Sequence, residues 1–167
     1  MAQPKGNAII SLRDALKLAN SFEPQDKLLG LERLREIVLA DDSQLVDYGY
    51  DQVLLKELLK FVKFEEDQCL RATLDLVLAY YAPKETYQDD IMETLLYRYG
   101  MSTNDQVSLM CLAAISSQID SMGDNLAKHS RQLLQLTDIT LPNLLSEQVR
   151  IILEKMEPKL PKRRLVN

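Results

Sequence analysis

A short motif that opens on an acidic residue recurs four times along the chain, as Asp26-Lys27-Leu28, Asp67-Gln68-Cys69, Asp105-Gln106-Val107 and Glu147-Gln148-Val149. Successive copies stand 41, 38 and 42 residues apart. A period near 40 has room for two helices and their turns in each unit, and four units fill the chain. This constrains the fold more than any single residue does. Each helix carries one apolar stripe, and a lone pair of helices cannot bury both stripes. Stacked hairpins can.

The apolar spacing predicts eight helices, over 8–20, 24–39, 52–63, 66–81, 87–99, a span beginning after Thr103 and reaching 119, 123–136 and 142–156. Pro24 and Pro142 suit helix starts, because the missing N–H is not needed there. Pro83 stops the fourth helix. Gly100 is read as the glycine that closes the fifth. Thr103 with Gln106 forms a capping-box pattern for the sixth. Composition agrees: Leu occurs 31 times in 167 residues, while 5 Gly and 6 Pro are too few for a turn-rich β-sandwich. No apolar run approaches the roughly 20 residues that span a bilayer, and the N-terminus has no signal-peptide core. The reading is an intracellular protein, cytoplasmic, with a nuclear location left open by its basic tail.

The second helix of each unit resembles that of the HEAT and armadillo repeats, which opens with an acidic residue, then Val-Arg, then small residues. Asp67 and Leu70-Arg71-Ala72 fit that pattern, and Glu147 with Val149-Arg150 fits in part. Leu31-Glu32-Arg33 is a loose match, and the third unit departs, with Ser108 and Leu109 where the basic residue would fall. The resemblance implies an all-α fold, a short right-handed α-α superhelix (solenoid) of about four antiparallel helix pairs. The domains drawn are a flexible N-terminus over 1–7, one HEAT-like repeat domain over 8–157 and an extended basic tail over 158–167.

The chemistry of most enzymes is missing. His129 is the single histidine, and nothing in the sequence aims Cys69 or Cys111 at it as a nucleophile. Two distant cysteines and one histidine lack the close ligand pairs of a zinc site. Both cysteines sit in apolar helical segments and read as buried hydrophobes. The glycines are isolated, so no phosphate-binding loop occurs. The acidic clusters Asp41-Asp42, Glu65-Glu66-Asp67 and Asp89-Asp90 lack the ligand order of a calcium loop. No cofactor and no metal are expected.

Three segments could carry binding. Tyr80, Tyr81, Tyr87, Tyr97 and Tyr99 lie within 20 residues, and tyrosine is a favoured interface anchor. The stretch from Asp41 to Asp67 is acidic and would attract a basic partner. The tail holds Lys162, Arg163, Arg164 and Leu165, similar to a minimal nuclear-localisation signal and to a cyclin-docking motif. Direct nucleic-acid binding by the folded body is disfavoured, because the net charge is -5 and phosphate contacts need a positive field.

The function expected is therefore that of a non-catalytic adaptor or scaffold, which binds a peptide or helix of a partner protein. Its candidate partner-binding residues are Tyr87, Tyr97, Arg98 and Tyr99. The alternatives are a small helical-bundle enzyme or ligand-binding protein, and a nucleic-acid-associated helical repeat protein. A homodimer is left open, and no membrane partner is expected.

Overall fold

A computed structural model describes residues 5–40, 50–138 and 141–160. It is all-helical among those residues. Two compact units divide between Tyr80 and Tyr81, and each has its own core.

In the first unit, α1 (Lys5–Ala19) and α2 (Pro24–Ala40) form one hairpin, and α3 (Tyr50–Phe64) and α4 (Asp67–Leu76) form the next. Helix α2 packs on both α1 and α4, and α3 packs on α4. Residues at helical spacing go inside: Leu31, Leu34 and Val38 from α2, and Leu54, Leu58 and Val62 from α3 are buried. Each fully buried aliphatic side chain contributes about 1.5–3 kcal/mol. The crossing of α1 and α2 is unusually close. Gly30 is buried there, and a Cβ added to it would stand 2.7 Å from the Ala15 carbonyl oxygen and 2.9 Å from Ala19 Cα. After Leu76 the helix widens into a π turn over Val77–Tyr81, just before Pro83. The sequence predicts one uninterrupted α-helix there. A proline next to a helix end withholds an N–H, and a single π turn is a common adjustment in such places.

In the second unit, α5 (Glu85–Met101) packs on α6 (Asp105–Ser121), and α6 packs on α8 (Asn143–Met156). Ile91, Met92, Ile115, Ile119 and Ile152 are fully buried between them. Gly100 does not close α5. The helix runs on to Met101 and ends where the Ser102 N–H bonds the Tyr99 carbonyl. The cap of α6 is Asn104, not Thr103: its Oδ1 accepts the N–H groups of Gln106 and Val107. Asparagine is at least as good an N-cap as threonine, and it stands one residue nearer the helix.

The seventh predicted helix is broken. Asp124–His129 is a 3₁₀ turn, α7 is only Ser130–Leu134, and Gln135–Asp138 is 3₁₀ again. Short polar side chains compete with the helix here. Asn125 Oδ1 takes the Gly123 N–H at 3.1 Å, and the Asn125 amide donates to Gln88 Oε1 at 2.7 Å. Gln88 in turn donates to the carbonyls of Ala82 and Ser121, both at 2.9 Å. This buried network fixes the start of the 3₁₀ turn against α5 and α6. A last 3₁₀ turn, Glu157–Lys159, follows α8.

Bonds between different helices recur at close to one repeat length. Lys27 meets Glu65 across 38 residues, Asp89 meets His129 across 40, Ser116 meets Lys155 across 39, and Ile119 meets Lys159 across 40. No helix of the described residues is long and apolar enough to cross a membrane.

Candidate functional site: a phenylalanine-lined groove

The turn between α1 and α2 is held by its own polar groups. The Asn20 amide donates to the Leu16 carbonyl at 2.9 Å, and Ser21 Oγ accepts the Glu23 N–H at 3.1 Å. These bonds fix the backbone and leave Phe22 with nothing to pack on: its side chain is 99% exposed. At the next turn, Phe64 ends α3 and is 72% exposed. The inward positions of α3 are already taken by Leu54, Leu58, Phe61 and Val62, so Phe64 falls outside the stripe.

These two turns face one another. Lys27 Nζ is 2.6 Å from Glu65 Oε1 in a half-buried ion pair, and Cys69 Sγ lies 4.0 Å from the Pro24 carbonyl. Between them is a groove of about 640 Å³ with Phe22, Leu28, Phe64 and Cys69 on its apolar lining and Glu65 and Glu66 among its polar groups. Exposed phenyl rings cost nothing by themselves, but burying both would release about 3–6 kcal/mol. In the groove's lining Lys27 is held by Glu65, and Cys69 is buried.

The second unit holds an acid–base pair that the sequence did not indicate. His129 is buried, and its Nε2 is 2.8 Å from Asp89 Oδ1. Lys128 Nζ is 3.2 Å from the other carboxylate oxygen. The hydrogen bond from His129, with help from Lys128, holds the Asp89 carboxyl below its usual range, against a smaller opposing effect of burial. The predicted seventh helix, 123–136, would put His129 in mid-helix. It is instead at the end of a 3₁₀ turn and fully enclosed, because Asp89 supplies a polar partner across one repeat. A hydrolytic triad would need a nucleophile on the imidazole. The neighbouring Ser130 hydroxyl instead donates to the Ala127 carbonyl at 2.9 Å.

The tyrosine set separates. Tyr97 is about half exposed. Tyr87 packs its ring edge-on against Tyr81, with centroids 5.7 Å apart. Tyr99 is half-buried, and burial pushes its hydroxyl pKa up. Arg98 points inward and is buried; its charge reaches Cys111 and pulls that thiol down slightly, while burial pushes it up to about 11. Successive residues of a helix point about 100° apart, so Tyr97, Arg98 and Tyr99 do not share one face. Lys162, Arg163, Arg164 and Leu165 lie outside the described residues, as does most of the acidic connector 41–51. Cys69 and Cys111 are buried and not joined in a disulfide, as expected. Among the described residues no cluster of His, Cys, Asp and Glu could hold a metal ion.

Sequence periodicity had no way to single out Phe22 and Phe64. The available signal was an aromatic residue in a turn, two residues ahead of Pro24, with no partner at helical spacing.

No family model matches the chain, no curated protein matches it, and no solved structure matches its fold.

Proposed function

We propose that this protein is a non-catalytic adaptor that receives a short peptide or helix of another protein in the groove between Phe22 and Phe64. The observation that carries the reading is the exposure of both rings on one concave lining. Large apolar side chains gathered at a groove and rimmed by charge mark recognition sites. The architecture proposed with it is the right-handed superhelix of HEAT-like hairpins. Its support is the recurrence of bonds near 40 residues and the packing of α2 on α4 and of α6 on α8. Tyr97, with Met101 one turn further along α5 and also exposed, is a second contact surface in this reading. Arg98 serves the core of its own unit.

The test is selection from a random peptide display library against the wild-type protein and against Phe22→Ala/Phe64→Ala. Both positions are exposed, so the double variant should keep its circular dichroism spectrum and thermal midpoint. A family of sequences sharing an apolar anchor should be enriched on the wild type and lost on the variant. No enrichment, or the same enrichment on both proteins, refutes the site.

A further inference from the structure

The charges around the groove narrow its occupant. The two turns carry Glu23, Asp26, Glu65 and Glu66 against Lys27 and Lys63. Lys27 is neutralised by Glu65 at 2.6 Å. The starts of α2 and α4 also lie at this edge, and each contributes about half a positive charge. Two such ends weaken the net acidity but do not cancel it. The groove is therefore an apolar floor in a negative surround, and the matching ligand is cationic with aliphatic side chains.

The sequence carries its densest run of positive charge at such a stretch. From 158 to 167 there is no acidic residue, and Lys162, Arg163 and Arg164 are followed by Leu165 and Val166. Leucine and valine can cover the two phenyl rings, and a guanidinium favours the face of an aromatic ring. Extended, the eight residues from 160 to 167 reach about 26 Å, enough to cross a groove of about 640 Å³. The last described turn before this segment is anchored, because Lys159 Nζ is held by the carbonyls of Ile119 and Met122 at 2.6 and 2.7 Å.

We infer that the Phe22–Phe64 groove is occupied by the basic segment 160–167 of a second copy of this chain. The inference rests on the groove being the docking site. A contact of tail to groove is head-to-tail, so it links copies in series instead of closing a two-fold dimer. It is also charge-dependent and weakens with salt.

The test uses a labelled, C-terminally amidated peptide of residues 160–167 and the full-length protein. Fluorescence anisotropy should show saturable binding with Kd on the order of 10–100 µM. Binding should fall at least about tenfold in Phe22→Ala/Phe64→Ala and several-fold between low and high salt. In sedimentation velocity the full-length protein should gain mass as its concentration rises, and Lys162→Gln/Arg163→Gln/Arg164→Gln should stay monomeric. The three substituted positions lie outside the described residues, and an unchanged circular dichroism spectrum is the control for the fold. An absence of peptide binding at about 1 mM, or binding indifferent to the Phe22/Phe64 change, overturns the inference. So does a full-length protein that remains monomeric throughout. If displayed peptides still bind through Phe22 and Phe64 while the 160–167 peptide does not, the docking site stands and only this occupant is lost.

Discussion

Replacing Gly30 by alanine tests the close crossing of α1 and α2. On helix propensity alone, glycine to alanine inside a helix gains about 1 kcal/mol. The structure reverses that sign. The new Cβ would lie 2.7 Å from the Ala15 carbonyl oxygen, 2.9 Å from Ala19 Cα and nearer still to the Ala19 nitrogen. All three are backbone atoms, so no side chain can rotate away. Ordinary contact begins near 3.4 Å, and α1 must retreat by roughly 1 Å to restore it. A gap of that size forfeits about a quarter to a half of each dispersion contact along the seam. Leu12, Ala15, Ala19, Leu31 and Leu34 are buried there. Overpacking of this kind costs about 1–3 kcal/mol, and rigid backbone places it at the upper end. After the propensity gain the net loss is about 2 kcal/mol. Urea denaturation followed by circular dichroism is the assay. With an m-value of roughly 1–3 kcal/mol/M, the midpoint of the transition that includes the first unit should fall by about 0.7–2 M. Gly100→Ala is the matched control. Gly100 also lies inside a helix, but nothing stands within 4 Å of a Cβ built there. It should gain about 0.5–1 kcal/mol. Shifts of the same sign at both positions would refute the close-crossing argument.

Four further outcomes follow from the second unit. The Asp89 carboxyl is depressed in the folded protein, so its contribution is present above the ordinary carboxylate pKa and lost as pH falls through the folded value. Urea midpoints measured from pH 6 down to pH 3 should therefore drop more steeply for the wild type than for Asp89→Asn, and equal slopes would dismiss the pairing with His129. Lys159→Met removes a cation from the carbonyls that end α6 and should cost about 1–2 kcal/mol, seen as a lower thermal midpoint. Lys128→Met, at a side chain 67% exposed, should change stability by less than about 0.5 kcal/mol. The Cys111 thiol, buried and pushed up to about 11, should react with an aromatic disulfide reagent only after unfolding. Rapid labelling of the native protein at neutral pH would contradict its burial.

Much of the secondary structure was legible from spacing and proline. Helix starts at Pro24 and near Pro142 fell where the structure has them, because a proline's missing N–H restricts the chain locally. Tyr81 was read as core by its spacing and is fully buried. The errors share a cause. Gly100, Thr103 and the seventh helix were judged by local rules, and each was overruled by a neighbour. Helix α5 had room to continue past Gly100, Asn104 was the better-placed cap, and Gln88 and Asp89 pulled Asn125 and His129 out of an α-helical course. Arg98 was grouped with the candidate partner-binding residues. Its position on α5 faces inward all the same.

The sequence by itself determined the helical class, since it follows from the order of apolar residues along the chain. It also determined which stripes would be buried. Tertiary structure alone decided that Gly30 is a contact point, that Asp89 and His129 pair, and that Phe22 and Phe64 share a groove. Each of those facts joins residues roughly 10 to 40 positions apart. Their meeting depends on how helices cross, and a hydrophobic period specifies which face is covered without specifying which residue of the next helix covers it.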